Sequence, residues 1–345
     1  MSAATSASSD SGADQAASTG SEGPSLDACA EACEGAFDRV GLLHCQACRC
    51  KAAFDDWLPG ADALQCDAGE PIQIYRADVS GEAPVLEQAS PSAANCANPA
   101  LLNGSCGPGS RLGTIVHDDV VVRWICRDPL LDADGRVRFR DAAIIGHNRR
   151  TGATCFWDDI DETTHDDDLP PLDLLTATDA ERQEFLDRFH YNDGSRCISC
   201  HDHDPFIYTP FLQSVSWTSF APELGPYALV ERDGRLVATG KRHLVSTRAQ
   251  PCTQCHRLGD DGTCRLLAPD ALGASKRDGH QQAVLDAMVE GSPHWTLAYW
   301  MPIPGLLDHE AWAARFADAR AHVLACCETP GEDVGDCVWQ PVPGA

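Results

Sequence analysis

The sequence predicts an α+β chain of several domains, and three observations indicate this. At 345 residues the chain exceeds the size at which a single hydrophobic core usually stops growing. Short β-branched and aromatic runs are concentrated between residues 71 and 160, whereas helical spacing of apolar residues returns from residue 179 onward. The 18 cysteines suit an oxidising compartment, in which thiols pair. We therefore expect a tether, a cysteine-rich module, an antiparallel β domain and a mainly α-helical C-terminal domain.

The N-terminal segment, residues 1–25, is expected to be a disordered tether. It consists almost entirely of Ser, Ala, Thr, Gly and Asp, which cannot bury enough apolar surface to order a chain. The segment resembles the spacer of a surface lipoprotein, and a plain disordered tail is the alternative.

Residues 26–70 are expected to form a small helical module that disulfides hold together. Cys29 and Cys33 lie four apart, so on a helix they share one face and can both bond to a neighbouring segment. The run at 44–50, His-Cys-Gln-Ala-Cys-Arg-Cys, admits a zinc cluster as the alternative. An oxidising compartment favours disulfides, which a module of this size needs in order to fold.

Residues 71–160 are expected to form an antiparallel β domain, because short strand-like runs alternate with Gly-containing turn signals. The runs lie at 72–75, 114–116, 120–126, 137–139, 143–145 and 154–157. Cys126 and Cys155 both lie at strand ends, so we expect them to pair across the sheet. Cys96 and Cys106 frame a Pro/Gly-rich loop and are expected to pair with each other. The single histidines His117 and His147 are expected to be solvated or core residues.

Residues 161–178 are expected to be an acidic, proline-containing linker, since three aspartates precede a Pro-Pro pair. A calcium site at the aspartates is the weaker alternative. The predicted C-terminal domain, residues 179–345, begins with a helix over 179–190. A hairpin signal follows at 227–238, and the domain ends with a helix around 281–289 and an amphipathic helix that begins at Asp308.

Two C-x-x-C-H runs lie in this domain, at residues 197–201 and 252–256. Haem attachment needs this spacing, because two thiols add across the vinyl groups and the next residue supplies an imidazole to the iron. We therefore predict two covalently bound haem c groups. Their attachment and proximal residues are Cys197, Cys200, His201, Cys252, Cys255 and His256. The alternative is that the four thiols form disulfides or redox pairs beside accidental histidines.

The stretch from Cys252 to about Cys326 resembles class I cytochrome c. It has a C-x-x-C-H run, a helical stretch, a Met-Pro step at 301–302 and an amphipathic terminal helix in the same order. The resemblance implies that Cys252, Cys255 and His256 hold the second haem and that Met301 is its distal iron ligand. The alternative for Met301 is a packing role.

The first haem departs from this pattern, because no methionine lies between the two motifs. Its distal ligand is then a histidine, a group from elsewhere in the chain, or nothing. His243 has a workable separation along the chain and is the favoured ligand, and His190 is the alternative. His203 lies only two residues from His201 and would have to bend back implausibly.

These features predict an exported dihaem c-type cytochrome that passes single electrons between redox partners. A thioether ligand raises the potential relative to a second imidazole, so the first haem is expected to have the lower potential. The layout also invites comparison with dihaem cytochrome c peroxidases, in which the motifs lie much farther apart. A peroxidase-like enzyme that uses the first haem and a surface interaction protein with accessory haems are the alternatives.

The charge of the chain bears on its partners. With 52 acidic and 26 basic side chains, the net charge is −26, which repels nucleic acid and anionic lipid. A redox partner with a basic docking face fits this charge, and simple solubility of an exported protein is the alternative. No stretch is long and apolar enough for a membrane span, and the N-terminus lacks a signal-peptide core.

Haem attachment takes place outside the cytoplasm, so we expect an export signal that has been removed from this sequence. The expected location is the periplasm or the cell surface. Membrane attachment is expected only through a lipid anchor at the N-terminus.

Overall fold

The fold is that of a computed structural model of the chain. The structure describes residues 28–60, 62–76, 85–87, 107–131, 133–158, 169–207, 209, 211–212, 225–253, 257–272 and 309–344. The predicted tether, the pairing of Cys96 with Cys106, the aspartates of the linker and the helix at 281–289 lie outside these residues.

A seven-stranded sheet occupies the centre of the described molecule. In chain order, the strands are β1 (Glu70–Pro71), β2 (Ile74–Arg76), β3 (Val85–Glu87), β4 (Arg111–His117), β5 (Val120–Leu131), β6 (Val137–Asn148), β7 (Ala153–Asp158), β8 (Ala228–Val230), β9 (Leu236–Ala238), β10 (Arg242–Leu244) and β11 (Trp339–Pro341). The central sheet has the order β1-β4-β5-β6-β7-β8-β9, and β2-β3 and β10-β11 form two small sheets. The predicted runs at 114–116, 120–126, 137–139, 143–145 and 154–157 all lie within strands, whereas only the second half of the run at 72–75 does.

Every neighbouring pair in the central sheet is antiparallel except β7 and β8, which are parallel. Parallel neighbours need a long crossover connection. Here the connection between β7 and β8 contains the first C-x-x-C-H motif. The hairpin of β8 and β9, predicted from its turn residues, therefore extends the sheet of the predicted β domain. The predicted domain boundaries stay predictions.

Four helices of six residues or more are described. They are α1 (Ala28–Cys33), α2 (Arg39–Ala53), α3 (Asp179–Arg188) and α4 (His309–Cys326). The helix α3 begins with a capping box, in which the Thr178 side chain accepts from the Glu181 amide and the Glu181 carboxylate accepts from the Thr178 amide. The helix α4 buries Phe316, Ala319 and Val323 on one face, as predicted.

The mixed α and β content agrees with the predicted class, but a mainly α-helical C-terminal domain is not shown. From residue 179 on, the described residues contain four strands beside α3, α4 and several short helical turns. None of the described helices is long and apolar enough to cross a bilayer.

One face of the sheet carries the main hydrophobic core. Side chains alternate across a strand, so every second residue of β5, β6 and β7 points to the same side. On this side, the sheet packs against α2, the turn that follows it, and α3. The closest approach is at Gly146, where an added Cβ would lie 2.5 Å from the Phe54 ring. The buried residues that form this core include Leu43, Phe54, Val122, Ile144, Trp157, Phe185 and Phe189.

Disulfides tie the described elements together. Cys29–Cys48 and Cys33–Cys45 join α1 to α2, as the shared helical face predicted. Cys264–Cys327 and Cys326–Cys337 fix the C-terminal end. Since Cys45, Cys48 and Cys50 are all oxidised to disulfides, the alternative of a zinc cluster at 44–50 is wrong.

The predicted pair of Cys126 and Cys155 is also wrong. Cys126 bonds to Cys66, and Cys155 bonds to Cys50 at the end of α2. Cys126 lies opposite Ala142 on β6, whereas Cys155 lies opposite Gly146 on the other edge of the same strand. Two strand spacings amount to about 9.5 Å, which exceeds the Cα separation of about 7 Å that a disulfide can span.

His147 is a core histidine, as expected, and its protonation state follows from its hydrogen bonds. The Thr154 hydroxyl donates to the carbonyl of Gly152 (3.0 Å), so it accepts from Nδ1 of His147 (2.9 Å). The other ring nitrogen, Nε2, has no hydrogen-bond partner in the part of the chain that the structure describes. Burial, together with the charges of three nearby arginines, lowers the pKa of His147 to about 3.

This burial predicts a pH-dependent stability. An unfolded histidine has a pKa of about 6.5, so His147 binds fewer protons in the folded state between pH 6.5 and 3. Its contribution to stability is therefore complete above pH 6.5 and is lost as the pH falls towards 3. Between pH 6.5 and 3, the unfolding free energy of His147→Gln should fall by on the order of a few kcal/mol less than that of the parent. Urea unfolding at pH 7, 5 and 4 measures it, with His117→Gln as the control at an exposed position. Identical slopes for the parent and His147→Gln would contradict the assignment.

Candidate functional site

The second face of the sheet forms the floor of a cavity of about 320 Å³. The floor comes from β4, β5, β6 and β7, whose side chains on this face are largely apolar. These residues are Leu112, Ile125, Ala143, Ile145 and Phe156. Cys197, Cys200 and His201 of the first motif line the opposite side, and Phe206 and Phe211 close it. The first motif therefore borders a largely apolar cavity.

The chain turns sharply just before this motif. The Asn192 side chain accepts a hydrogen bond from the Gly194 amide (2.8 Å), and Gly194 adopts a φ of +81°. An added Cβ at Gly194 would lie 2.7 Å from Leu229, so both conformation and space favour glycine. A 3₁₀ turn over Cys197–Ser199 follows, and the amides of Cys200 and His201 both donate to the Cys197 carbonyl. This turn directs the two thiols and the imidazole to the cavity.

The His201 ring is oriented by one hydrogen bond. Its Nδ1 lies 2.8 Å from the carbonyl oxygen of Pro205. A carbonyl can only accept, so Nδ1 carries the proton and Nε2 keeps its lone pair. Burial lowers the pKa of His201 to about 4, which keeps the ring neutral at physiological pH. The ring also packs edge-on against Phe156, with 5.6 Å between centroids. His201 therefore has the tautomer of a metal-binding imidazole, with a backbone partner that fixes its orientation.

The thiols of this motif differ from the disulfide-bonded cysteines around them. Neither Cys197 nor Cys200 forms a disulfide, although six disulfides are present among the described residues. Burial raises the pKa of the Cys197 thiol to about 11, in spite of a hydrogen bond from Asn192. Redox-active C-x-x-C pairs depend on a lowered thiol pKa. The environment of Cys197 thus disfavours the redox-pair alternative.

Positive charges lie at the cavity. Arg123, which is buried in the floor, places its guanidinium 4.2 Å from the centroid of the Phe206 ring. Arg127 pairs with Asp141 at 2.6 Å, and Arg196 is exposed at the rim beside Cys197. An apolar floor with cations at its margin suits a flat, largely apolar molecule that carries carboxylates.

A buried polar cluster lies directly behind the motif. Its members are Asp202, His203, Asp204, Arg257 and Thr263, all of them buried. The Asp202 carboxylate accepts from His203 Nδ1 (2.8 Å), from the Thr263 hydroxyl (2.5 Å) and from the Asp261 amide (2.7 Å). Burial opposes the charged forms of Asp202 and His203, but their hydrogen bonds and the opposite charges beside them together outweigh it. The pKa of Asp202 is lowered and that of His203 is raised.

The second half of the cluster is an ion pair. Arg257 contacts Asp204 at 3.0 Å, and it also donates to the carbonyls of His203 (3.2 Å) and Gly225 (2.8 Å). Burial nonetheless raises the pKa of Asp204 to about 6. His203 Nδ1 binds Asp202 in this cluster, and His203 is not among the described residues that line the cavity.

The second motif is described only at its first cysteine. Cys252 lies in a short helical turn, Gln250–Thr253, forms no disulfide and has a pKa raised to about 11 by burial. Cys255, His256 and Met301 lie outside the described residues. Of the residues predicted to hold the second haem, the structure describes only Cys252.

Neither of the two histidines predicted as distal ligands is among the described residues that line the cavity. His243 is half-buried on β10, whose backbone bridges to Gly259, and burial lowers its pKa to about 4. His190 is exposed, and its amide donates to the carbonyl of Asp158 (3.1 Å) at the cavity margin. Among the described residues, His201 is the one histidine that lines the cavity. Both distal ligands stay predictions.

Another group of side chains has residue types that can bind a metal, but it contains a disulfide. His322, Cys326 and Cys337 lie close enough to share an ion, but the two cysteines form a disulfide with each other. The arrangement is a disulfide beside a histidine and does not offer three metal ligands.

No family model, no curated protein and no solved structure matches this chain. The interpretation of the site therefore depends on its own geometry and chemistry.

The sequence interpretation missed the floor of the cavity and the buried cluster. A signal was present for each. Arg123 is a charged residue inside a β-branched run, which marks a face with a special environment. The alternating Asp-His-Asp directly after His201 was a second signal, because three such side chains in a row seldom bury without partners.

Proposed function

We propose that this chain is an exported dihaem c-type cytochrome that passes single electrons between redox partner proteins. One observation carries the proposal. The two thiols and the imidazole of the first C-x-x-C-H motif face one apolar cavity, and neither thiol is in a disulfide although the chain is rich in them. A thiol pair retained in this way is available for thioether bonds to a haem.

The first site has features that fit a haem. The cavity of about 320 Å³ lies in the range of small-molecule pockets. Its apolar floor complements the face of a porphyrin, while Arg127 and Arg196 at its margin would pair with the haem carboxylates. Bound there, haem would supply an iron that stores and releases one electron.

The residues of the chain would set the conditions for that chemistry. The Pro205 carbonyl holds the His201 ring in the tautomer that presents Nε2 to a metal. The rings of Phe156, Phe206 and Phe211 would limit the access of water to a bound haem, and burial is one of the factors that set its potential. The second haem would be held by Cys252, Cys255 and His256, with Met301 as its distal ligand, as the resemblance to class I cytochrome c implies.

The location and partners follow from the oxidised cysteines and the charge. Several disulfides are consistent with an oxidising compartment. Residence in the periplasm or at the cell surface, with a lipid anchor as the membrane attachment, belongs to the proposal. The partners would be redox proteins with a basic docking face, since the chain carries a net charge of −26.

The haem content tests the proposal directly. The parent protein, matured where haem attachment occurs, should hold two covalent haems per chain by pyridine haemochrome after acid-acetone extraction. Cys197→Ser with Cys200→Ser should leave one, and Cys252→Ser with Cys255→Ser should also leave one. A parent that holds one haem or none would contradict the proposal.

Met301→His tests the distal ligand of the second haem. Replacing a thioether by an imidazole should lower the potential of one haem and remove the weak near-infrared band of methionine-bound ferric iron. The other haem should keep its potential, and Met288→His is the control. If the variant keeps both the band and the potential, Met301 is not the ligand.

The sixth position of the first haem separates a carrier from a peroxidase-like enzyme. With His243 bound, both irons are low-spin, and the reduced protein should bind carbon monoxide slowly. His243→Ala should open one iron, giving a high-spin signal and fast binding of carbon monoxide, whereas His190→Ala should not. The reverse result would move the ligand to His190. Fast binding or peroxide turnover by the parent would favour the enzyme.

A further inference from the structure

The segments that follow the two C-x-x-C-H motifs are bonded to each other. Asp202 and Asp204 come just after His201, and Arg257 comes just after His256. The Arg257 guanidinium contacts the Asp204 carboxylate at 3.0 Å, and the Arg257 amide lies 3.4 Å from the same carboxylate. Asp202 binds the hydroxyl and amide of Thr263, at 2.5 and 3.2 Å. The first motif is thereby tied to the chain on the far side of the second.

Two glycines allow this close approach. An added Cβ at Gly262 would lie 2.0 Å from the Ser199 carbonyl oxygen and 2.9 Å from Cys200 Cα, inside the first motif. An added Cβ at Gly259 would lie 2.2 Å from the Asp202 carboxylate. Both glycines are in the segment that follows His256. The backbone after the second motif thus packs directly against the backbone of the first.

The cluster is well suited to hold this arrangement rigidly. The side chains of Asp202 and Asp204 are fully buried, and their ionic partners His203 and Arg257 belong to the same cluster. Charge-assisted hydrogen bonds are short and directional, and in a buried setting an unpaired member would carry the full cost of desolvation. Any movement of one motif relative to the other would therefore have to break several bonds together.

We propose that Asp202, Asp204, Arg257 and Thr263 are positioning residues that fix the two haem-attachment motifs against each other, so that electrons pass between the two haems inside one chain. This inference rests on the proposed function. In the transfer, the iron at one motif is oxidised from ferrous to ferric while the iron at the other is reduced, with no proton or bond exchanged. The cluster acts through the motifs and need not touch either haem.

Thr263 offers the cleanest test, because it lies outside both motifs and its hydroxyl makes the shortest of the hydrogen bonds to Asp202. Thr263→Val removes the hydroxyl at nearly constant volume, while Thr263→Ser keeps it. Lys51→Met breaks the partly buried ion pair between Lys51 on α2 and Asp173 (2.9 Å), and controls for a general loss of stability. Haem content and thermal unfolding are measured first for every variant.

The protein is first reduced rapidly with less than one equivalent of reductant. The redistribution of electrons between the two haems is then monitored at wavelengths at which they absorb differently. In the parent, the rate should be independent of protein concentration. In Thr263→Val it should fall several-fold, because electron transfer slows steeply as the distance between the two haems grows. Thr263→Ser and Lys51→Met should keep the parental rate. The magnetic interaction between the two ferric irons, seen in electron paramagnetic resonance, should weaken in Thr263→Val alone.

The outcomes are distinguishable from failure of the proposed function. If the parent lacks two haems, the proposed function fails on that count alone. If both haems are present but the parental rate scales with protein concentration, electrons pass between molecules and the inference is overturned. An unchanged rate and an unchanged magnetic interaction in Thr263→Val also overturn it. If Thr263→Val does not fold, Arg257→Gln compared with Arg257→Lys replaces it with the same criteria.

Discussion

The alternation of side chains across the central sheet is the constraint on which the rest of the structure depends. Because successive residues point to opposite faces, β5 can contribute Val122 and Trp124 to the core while it contributes Arg123 and Ile125 to the cavity. A slip of one residue in the pairing of β5 with β6 would exchange these roles. It would put the Arg123 guanidinium into the hydrophobic core, which is strongly unfavourable.

The disulfides secure this register from the core side. Cys66–Cys126 and Cys50–Cys155 bind the chain before the sheet to β5 and β7, and they close long loops of 60 and 105 residues. Cross-links of long loops restrict the unfolded chain most, and each is worth about 2–5 kcal/mol. Because the core and these disulfides stabilise one face of the sheet, the sheet can stay folded while its opposite face borders a cavity. The first motif approaches that cavity on the crossover between β7 and β8, so its turn is carried by the same sheet.

Local features of the fold could be predicted from the sequence, and non-local ones could not. The strands β4 to β7 follow from β-branched runs, α3 from the helical spacing of its apolar residues, and the turn after β8 from Asp233-Gly234. The partners of Cys126 and Cys155 depend on the strand that separates them, which no local pattern reveals. The cavity floor likewise comes from four strands whose side chains meet only in the folded sheet. The motif residues of the candidate site were identifiable because their chemistry is local, whereas the cluster around Asp202 joins segments 60 residues apart.

The most direct test of this account is diffraction from crystals of the matured protein, with anomalous data collected on both sides of the iron absorption edge. The account predicts an iron peak inside the cavity, within coordination distance of His201 Nε2, with continuous density to the sulfurs of Cys197 and Cys200. A second iron peak should lie near Cys252, on the other side of the Asp202 cluster. A cavity without an iron peak, or a disulfide between Cys197 and Cys200, would contradict the account.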